Sequence, residues 1–279
     1  MLKEKADRLL SPVLGRFHEL DISHGSGCYL YDKEQTAYLD FGSGIAVTST
    51  GHCHPKIVAA IKKQSEQLIH PCIAVGNTDS VITCAEKLTD LLKPEPYSVF
   101  FDQSGSAAVE AAIKLAKKVS GRYKCIAFKG GFHGRSMGSL SLTSSKESYR
   151  EGIGPLIEGI SFFPYPYSYR CPFNETDTDC ESASIQALTE SPLFNSEVAA
   201  VIIEPVLGEG GYSAAPIKFL KALENKCKKH GILLIVDEIQ SGIGRTGQWF
   251  SFQKAGLSPD IIVSAKGLGS GMPISACIA

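Results

Sequence analysis

The sequence has no surplus charge of either sign. Lys and Arg number 28 against 29 Asp and Glu, so nothing marks it for a phosphate backbone, and nucleic acid is not an expected partner. No apolar run approaches the ~20 residues that cross a bilayer, so a membrane is not expected either. The first residues, MLKEKADRLL, carry charge where a signal peptide needs an apolar stretch. Nine cysteines are present without a single C-x-x-C pair. Scattered thiols of this kind read as reduced, which makes the expected location cytoplasmic, and Cys171 and Cys180 are expected to be unpaired. His52-Cys53-His54 are adjacent, and adjacent side chains seldom converge on one ion, so no metal site is expected.

What is present describes a globular chain. Apolar residues make up 43% and charged residues 20%, enough for a full hydrophobic core. The N-terminal part reads as a helix, then a β-hairpin over Gly27–Phe41 around Lys33-Glu34-Gln35. Helical periodicity follows over His54–His70 and Thr78–Leu92. From Ser98 onward strands and helices alternate: Ser98–Phe101, Ala107–Val119, Lys124–Phe128, Val198–Ile203, Pro216–His230, Ile232–Val236 and Ile261–Val263. That alternation predicts an α/β fold with a doubly wound, mostly parallel sheet. The Ser-, Pro- and Tyr-rich stretch Ser139–Asp179 reads as a long irregular excursion over the site.

Two apolar runs end in chemistry. Ile232–Val236 runs into Asp237, and Ile261–Val263 runs through Ser264 and Ala265 into Lys266. Parallel sheets bind ligands beyond the carboxyl ends of their strands, so an acid and an amine would reach one crevice. That pair suits a cofactor needing an anion at a ring nitrogen and an amine at an aldehyde, as pyridoxal 5'-phosphate does. Gln240 is placed to donate to a phenolate oxygen. Ser104-Gly105-Ser106 ahead of a helix can hold a phosphate on free N–H groups, or simply cap the helix. Phe132-His133 follows a strand end, where an aromatic could stack on a flat ring or pack in the core. Arg135 could clamp a carboxylate or lie on the surface, and Glu209 sits in a glycine-rich loop. Gly242-Ile-Gly244-Arg-Thr-Gly247 matches a dinucleotide-binding pattern, but its glycines start too late after the apolar run, and Asp260 precedes its strand.

The stretches FGSGIAVTSTGHCHPKIVAAI, FFDQSGSAAVEAAIKLAK, GGFHGRSMGSLSLTSSK, IIEPVLGEGGY, LLIVDEIQSGIGRTG and DIIVSAKGLGSGMP resemble the class III aminotransferases. They occur in that family's order and cover about residues 20–279. The resemblance implies the fold type I architecture of pyridoxal-phosphate transferases, with residues 1–50 as part of a small α+β domain and 51–279 as the large cofactor-binding domain. It implies that Lys266 holds the cofactor covalently and shuttles the proton, and that Asp237 pairs with the ring nitrogen. Gln240 would meet the ring hydroxyl oxygen, Gly105 and Ser106 the phosphate. Phe132 and Ile239 would cover the two faces of the ring, with His133 nearby. Ile45 would border the substrate pocket, Arg135 grip a substrate carboxylate, and Glu209 gate an arginine. A homodimer is implied as well.

Members of that family continue past the lysine into a C-terminal small domain, whereas this sequence stops at Ala279. That domain is expected to be absent, the large domain incomplete, the sheet short by at least one strand, and the chain alone a poor catalyst. The expected reaction moves an amino group from a 4-aminobutyrate-like ω-amino acid to 2-oxoglutarate. Acetylornithine, ornithine, diaminobutyrate and alanine–glyoxylate aminotransferases, and racemases of the same family, stay open. An alternative of another class is a non-catalytic remnant acting as a binding or assembly partner.

Overall fold

The computed structural model describes residues 2–13, 15–173 and 179–279. The chain divides into two compact units, Met1–Gly76 and Asn77–Ala279, so the boundary expected at 50/51 falls inside the first. That unit holds helix α1 (Leu2–Leu9) and an antiparallel sheet of β1 (Ile22–Ser26), β2 (Tyr29–Asp32) and β3 (Ala37–Leu39). The β2–β3 turn is closed by Asp32 Oδ1, which accepts the Thr36 N–H at 2.8 Å. A four-residue turn, α2 (Ser43–Ala46), and a longer helix, α3 (Pro55–Gln67), complete it. His54 Nδ1 caps α3 by accepting the Lys56 N–H at 3.3 Å, and His52 pairs with Asp40 at 2.8 Å. No described residue of this unit is buried.

The second unit begins with α4 (Asp79–Asp90), β4 (Val99–Asp102), α5 (Gly105–Ser120) and β5 (Lys124–Phe128). It continues through α6 (Met137–Leu142), β6 (Ile160–Phe163), α7 (Cys180–Glu190), β7 (Val198–Ile203) and α8 (Ile217–His230). Strands β8 (Leu233–Asp237), β9 (Ile261–Ser264) and β10 (Ser275–Ile278) close the chain. One sheet takes all seven strands in the order β4-β10-β9-β8-β7-β5-β6. Neighbours from β9 to β6 are parallel, and β10 runs antiparallel to both β4 and β9.

The sequence explains why the centre of this sheet is buried on both faces. Strand β7 reads VAAVII and every position is buried. Alternate side chains point to opposite faces of a strand. Ala200 and Ile202 therefore join the Ala108, Val109 and Ala112 stripe of α5, while Val201 and Ile203 join Phe219 and Leu223 of α8. Small side chains along α5 let it lie close to the strands. Both helices stop at a left-handed glycine, Gly121 (φ 68°) and Gly231 (φ 59°), a conformation that costs glycine little.

Three expectations need correction. The stretch Ser139–Asp179 is not a single irregular excursion: α6 reaches Leu142 and is largely buried, and β6 pairs in parallel with β5 at the sheet edge. Four of the six α6 residues before its end are glycine, serine or methionine, and β6 is only four residues between Gly159 and Pro164, so neither shows a clear period. Cys171 and Cys180 form a disulfide, their Cα atoms 5.5 Å apart; the fold of the chain, not the cysteine count, sets that approach. The short run Ser275–Ile278, missing from the expected strands, is β10 and inserts between β4 and β9.

Truncating a fully enclosed β7 side chain tests this packing. Ile202→Ala should lower the unfolding free energy by about 2–5 kcal/mol, the range for large-to-small changes in a rigid core. Urea denaturation checks it; a loss under about 1 kcal/mol would mean the α5 interface can collapse onto the cavity.

Candidate active site

Three adjacent parallel strands deliver three titratable groups to one edge of the sheet. Strand β7 ends at Ile203 opposite Val236 of β8, and Glu204 follows it. Asp237 closes β8 opposite Val263 of β9, and Lys266 lies three residues beyond Val263. Lys266 has φ 40°, a left-handed turn that ends the extended run of β9.

Asp237 is 2% exposed. Its Oδ2 lies 2.7 Å from His133 Nδ1, and its Oδ1 accepts the Ile239 N–H at 3.0 Å. A buried charge needs such partners, because desolvation otherwise costs several kcal/mol. His133 is held in turn: its N–H donates to Thr143 Oγ1 at 2.9 Å, and that hydroxyl donates to the Gly134 carbonyl at 2.9 Å. Burial alone would lower the His133 pKa, but the hydrogen bond and charge of Asp237, with the charge of Glu204, outweigh it and raise it. Burial lowers the pKa of the Lys266 ammonium, opposed by Asp237, Glu204 and Glu209. An amine so placed gives up its proton more easily, which a nucleophile requires.

The remaining expected residues of the second unit lie on loops and a helix start around this edge. Ser104 Oγ accepts the Ala107 N–H at 3.2 Å and starts α5, leaving N–H groups of its first turn without helical partners. A Cβ at Gly105 would sit 3.0 Å from Ile239 Cδ1, so the helix start packs directly on the turn after Asp237. Ser106 Oγ accepts the Arg135 N–H at 3.3 Å. Gln240 presses on Gly208, where a Cβ would lie 1.6 Å from its Oε1 and displace the amide. Phe132 donates its N–H to Glu204 Oε1 at 2.8 Å, and its ring meets Tyr149 edge-on at 5.7 Å. Glu209 accepts from Ser145 Oγ at 3.2 Å. Arg135 is exposed. Ile45 belongs to the first unit, where it is 54% exposed with φ 64°.

Two buried acids escaped the sequence reading. Glu204 takes two amides, from Phe132 at 2.8 Å and Gly208 at 3.0 Å. Burial pushes its carboxyl up to about 7; His133 pulls it down and Asp237 pushes it further up. Its signal was available: VAAVIIEP ends an apolar run in an acid just as LLIVDE does. Glu238 is fully buried, accepts from Ser241 Oγ at 2.7 Å and the Phe252 N–H at 2.8 Å, and is pushed by burial up to about 7. Nothing in the sequence separated it from its neighbour Asp237. The Gly242–Gly247 segment forms turns with Gly244 at φ 81° and Gly247 at φ 85°, and no helix starts there, so it lacks the strand–turn–helix context of a dinucleotide site.

The family model of the aminotransferases of class III matches residues 13–279. The chain belongs to the class III aminotransferases. An acetylornithine aminotransferase of Methanopyrus kandleri is 43% identical over 99% of this class III chain and 66% of its own length. A Bacillus subtilis protein named Probable 4-aminobutyrate aminotransferase is 35% identical over 99% of the chain and 64% of its own. Among solved structures, a thermostable (S)-enantioselective omega-transaminase from Thermomicrobium roseum superposes with a TM-score of 0.89 at 31% identity, over 99% of this chain and 65% of that one. The class III chain thus spans just under two-thirds of these relatives. Its mixed seven-stranded sheet has the fold type I architecture that the resemblance implied.

The two buried glutamates set a pH dependence. Between about 4.5, their ordinary value, and about 7, the folded state keeps protons that the unfolded chain has released. The contribution of the two glutamates to stability therefore falls as pH rises through that window. Urea midpoints of cofactor-free protein should drop between pH 5 and 7, and Glu204→Gln should remove roughly half of the slope. A midpoint that rises over this interval would contradict the assignment.

Proposed function

We propose that the protein to which this chain belongs catalyses pyridoxal-phosphate-dependent transamination, taking the amino group of a substrate whose amine is distant from its carboxylate and passing it to 2-oxoglutarate. One observation carries the reading: Asp237, enclosed and backed by His133 at 2.7 Å, stands one strand from Lys266, a half-buried amine of lowered pKa. The residues present fit the cofactor. The Lys266 amine suits its aldehyde, Asp237 a protonated ring nitrogen, and the α5 start with Gly105 and Ser106 its phosphate. Gln240 Oε1 and His133 Nε2 are buried polar atoms without partners among the described residues, as expected of groups that line a ligand. When bound, pyridoxal phosphate supplies an aldehyde that captures amines and a cationic ring that withdraws electrons from the amine-bearing carbon of the substrate.

The chain's own residues then divide the work. Lys266 is the nucleophile and, once released by substrate, the base that moves a proton from the substrate carbon. Asp237 would keep the ring nitrogen protonated, and His133 holds Asp237 in orientation through their 2.7 Å contact. Phe132 and Ile239 would cover the two faces of the ring, and Gln240 would donate to its hydroxyl oxygen. Arg135 offers an exposed guanidinium to a substrate carboxylate, with Glu209 as gate. We assign the protein to the cytoplasm as a homodimer; exposed Phe17, Phe41 and Ile69 of the first unit, each at least 85% open, supply apolar surface for such an interface.

Both 4-aminobutyrate and N-acetylornithine satisfy this donor description. The LSLTSSK run after Arg135 favours the first, and the 43% identity to an acetylornithine aminotransferase favours the second. With the complete gene product, borohydride reduction should fix cofactor on the peptide containing Lys266. Lys266→Ala should abolish that labelling and cut kcat at least about 10²-fold, the lower end for a positioned proton-transfer group. Turnover of neither donor, or labelling of a different lysine, would defeat the proposal, and the ratio of kcat/KM values decides between the two donors.

A further inference from the structure

Glu110 lies on α5, one helical turn after Ser106, and none of the expected roles uses it. Three donors converge on its Oε1: the Ser136 hydroxyl at 2.7 Å, the Gly138 N–H at 2.8 Å and the Ser139 N–H at 3.0 Å. All three belong to the segment immediately after Arg135. Among the described residues Glu110 forms no ion pair, so its charge is met by the first amides of α6 and a hydroxyl. Charge-assisted bonds of this kind are about twice as strong as neutral ones.

The packing around these groups is close. A Cβ on Gly138 would sit 2.1 Å from Glu110 Oε2, and one on Gly134 would sit 2.3 Å from Ser106 Oγ and 2.5 Å from Ser139 Oγ. Arg135 is therefore tied to α5 on both sides. Ser106 holds its N–H from before, and Glu110 holds the three groups that follow. Helix α5 is itself immobilised, with Ala108, Val109 and Ala112 fully buried against the sheet. Positions 106 and 110 are about 6 Å apart along a helix axis, so one turn of α5 sets the separation between its own N-terminal end and the guanidinium-bearing loop.

We propose that Glu110 is a positioning residue that fixes where Arg135 meets the carboxylate of the substrate, and so contributes to carboxylate specificity without touching substrate or cofactor. It rests on the reading of Arg135 as the carboxylate holder. The anchor needs an acceptor at Oε1 more than it needs a charge, so an amide oxygen should largely replace it.

The test uses the holoenzyme from the complete gene product, with glutarate as a non-reacting dicarboxylate probe. Glu110→Ala should weaken glutarate binding, measured by calorimetry, about tenfold or more, and raise KM for the ω-amino acid similarly. Cofactor content and kcat should stay within twofold. Glu110→Gln should restore both constants to within about threefold, and Gly138→Ala, which pushes on the same carboxylate from the loop, should copy Glu110→Ala. Loss of cofactor content and kcat alongside KM would show a general structural role and overturn the proposal, as would unchanged glutarate binding. Arg135→Ala separates the two layers. If it leaves glutarate binding intact, the carboxylate reading falls and this proposal with it; if it weakens binding while Glu110→Ala does not, only the role of Glu110 falls.

Discussion

The buried contact between Asp237 and His133 is what the rest of this site depends on. A carboxylate at the end of a central strand, almost wholly removed from water, is tolerable only with partners for both oxygens. His133 serves one and the Ile239 amide the other. Each partner fixes a loop in its turn, because His133 is tied through Thr143 to Gly134, and Ile239 packs on Gly105 at the start of α5. One charge therefore sets the position of a strand end, two loops and a helix terminus. The sheet supplies the setting. With helices on both faces and every position of β7 enclosed, its strand ends are where polar groups can gather at low cost.

Close approach without side chains is the second constraint. Gly105, Gly134, Gly138 and Gly208 all lie where an added carbon would meet a neighbouring side chain at 3.0 Å or less. Those neighbours are Ile239, Ser106, Glu110 and Gln240, and three of these four are expected to face the cofactor. The glycine-rich stretches are thus contact surfaces between loops, more than flexible hinges. Their density explains how seven short strands can present so many side chains to one small crevice.

Asp237 and Lys266 were legible because two β-branched runs each ended in a reactive group, a pattern that survives without tertiary information. The start of α5 was legible for a similar local reason, a serine and glycine directly before an alanine stripe. Glu204 carried the same strand-end signature and was passed over. Glu110 could not be read at all, since its partners are more than 25 residues away and it sits in an ordinary helical repeat. Strands β6 and β10 were lost to shortness, and the Cys171–Cys180 bridge to a rule about compartments where local chain geometry decides. Groups such as Glu110 that depend on a distant partner leave no local signal, whereas long runs of neighbours do.

The placing of β10 has a further consequence. In the row of seven, β4 touches no strand except β10, although β4 is the earliest of them to leave the ribosome and β10 the last. The earliest strand must therefore wait for about 170 residues of synthesis before its backbone bonds can close, and pairings so remote along a chain form slowly. The start of α5 follows β4 by only two residues. The strand that leads into α5 therefore gains its backbone partner only when nearly all of this sequence has emerged.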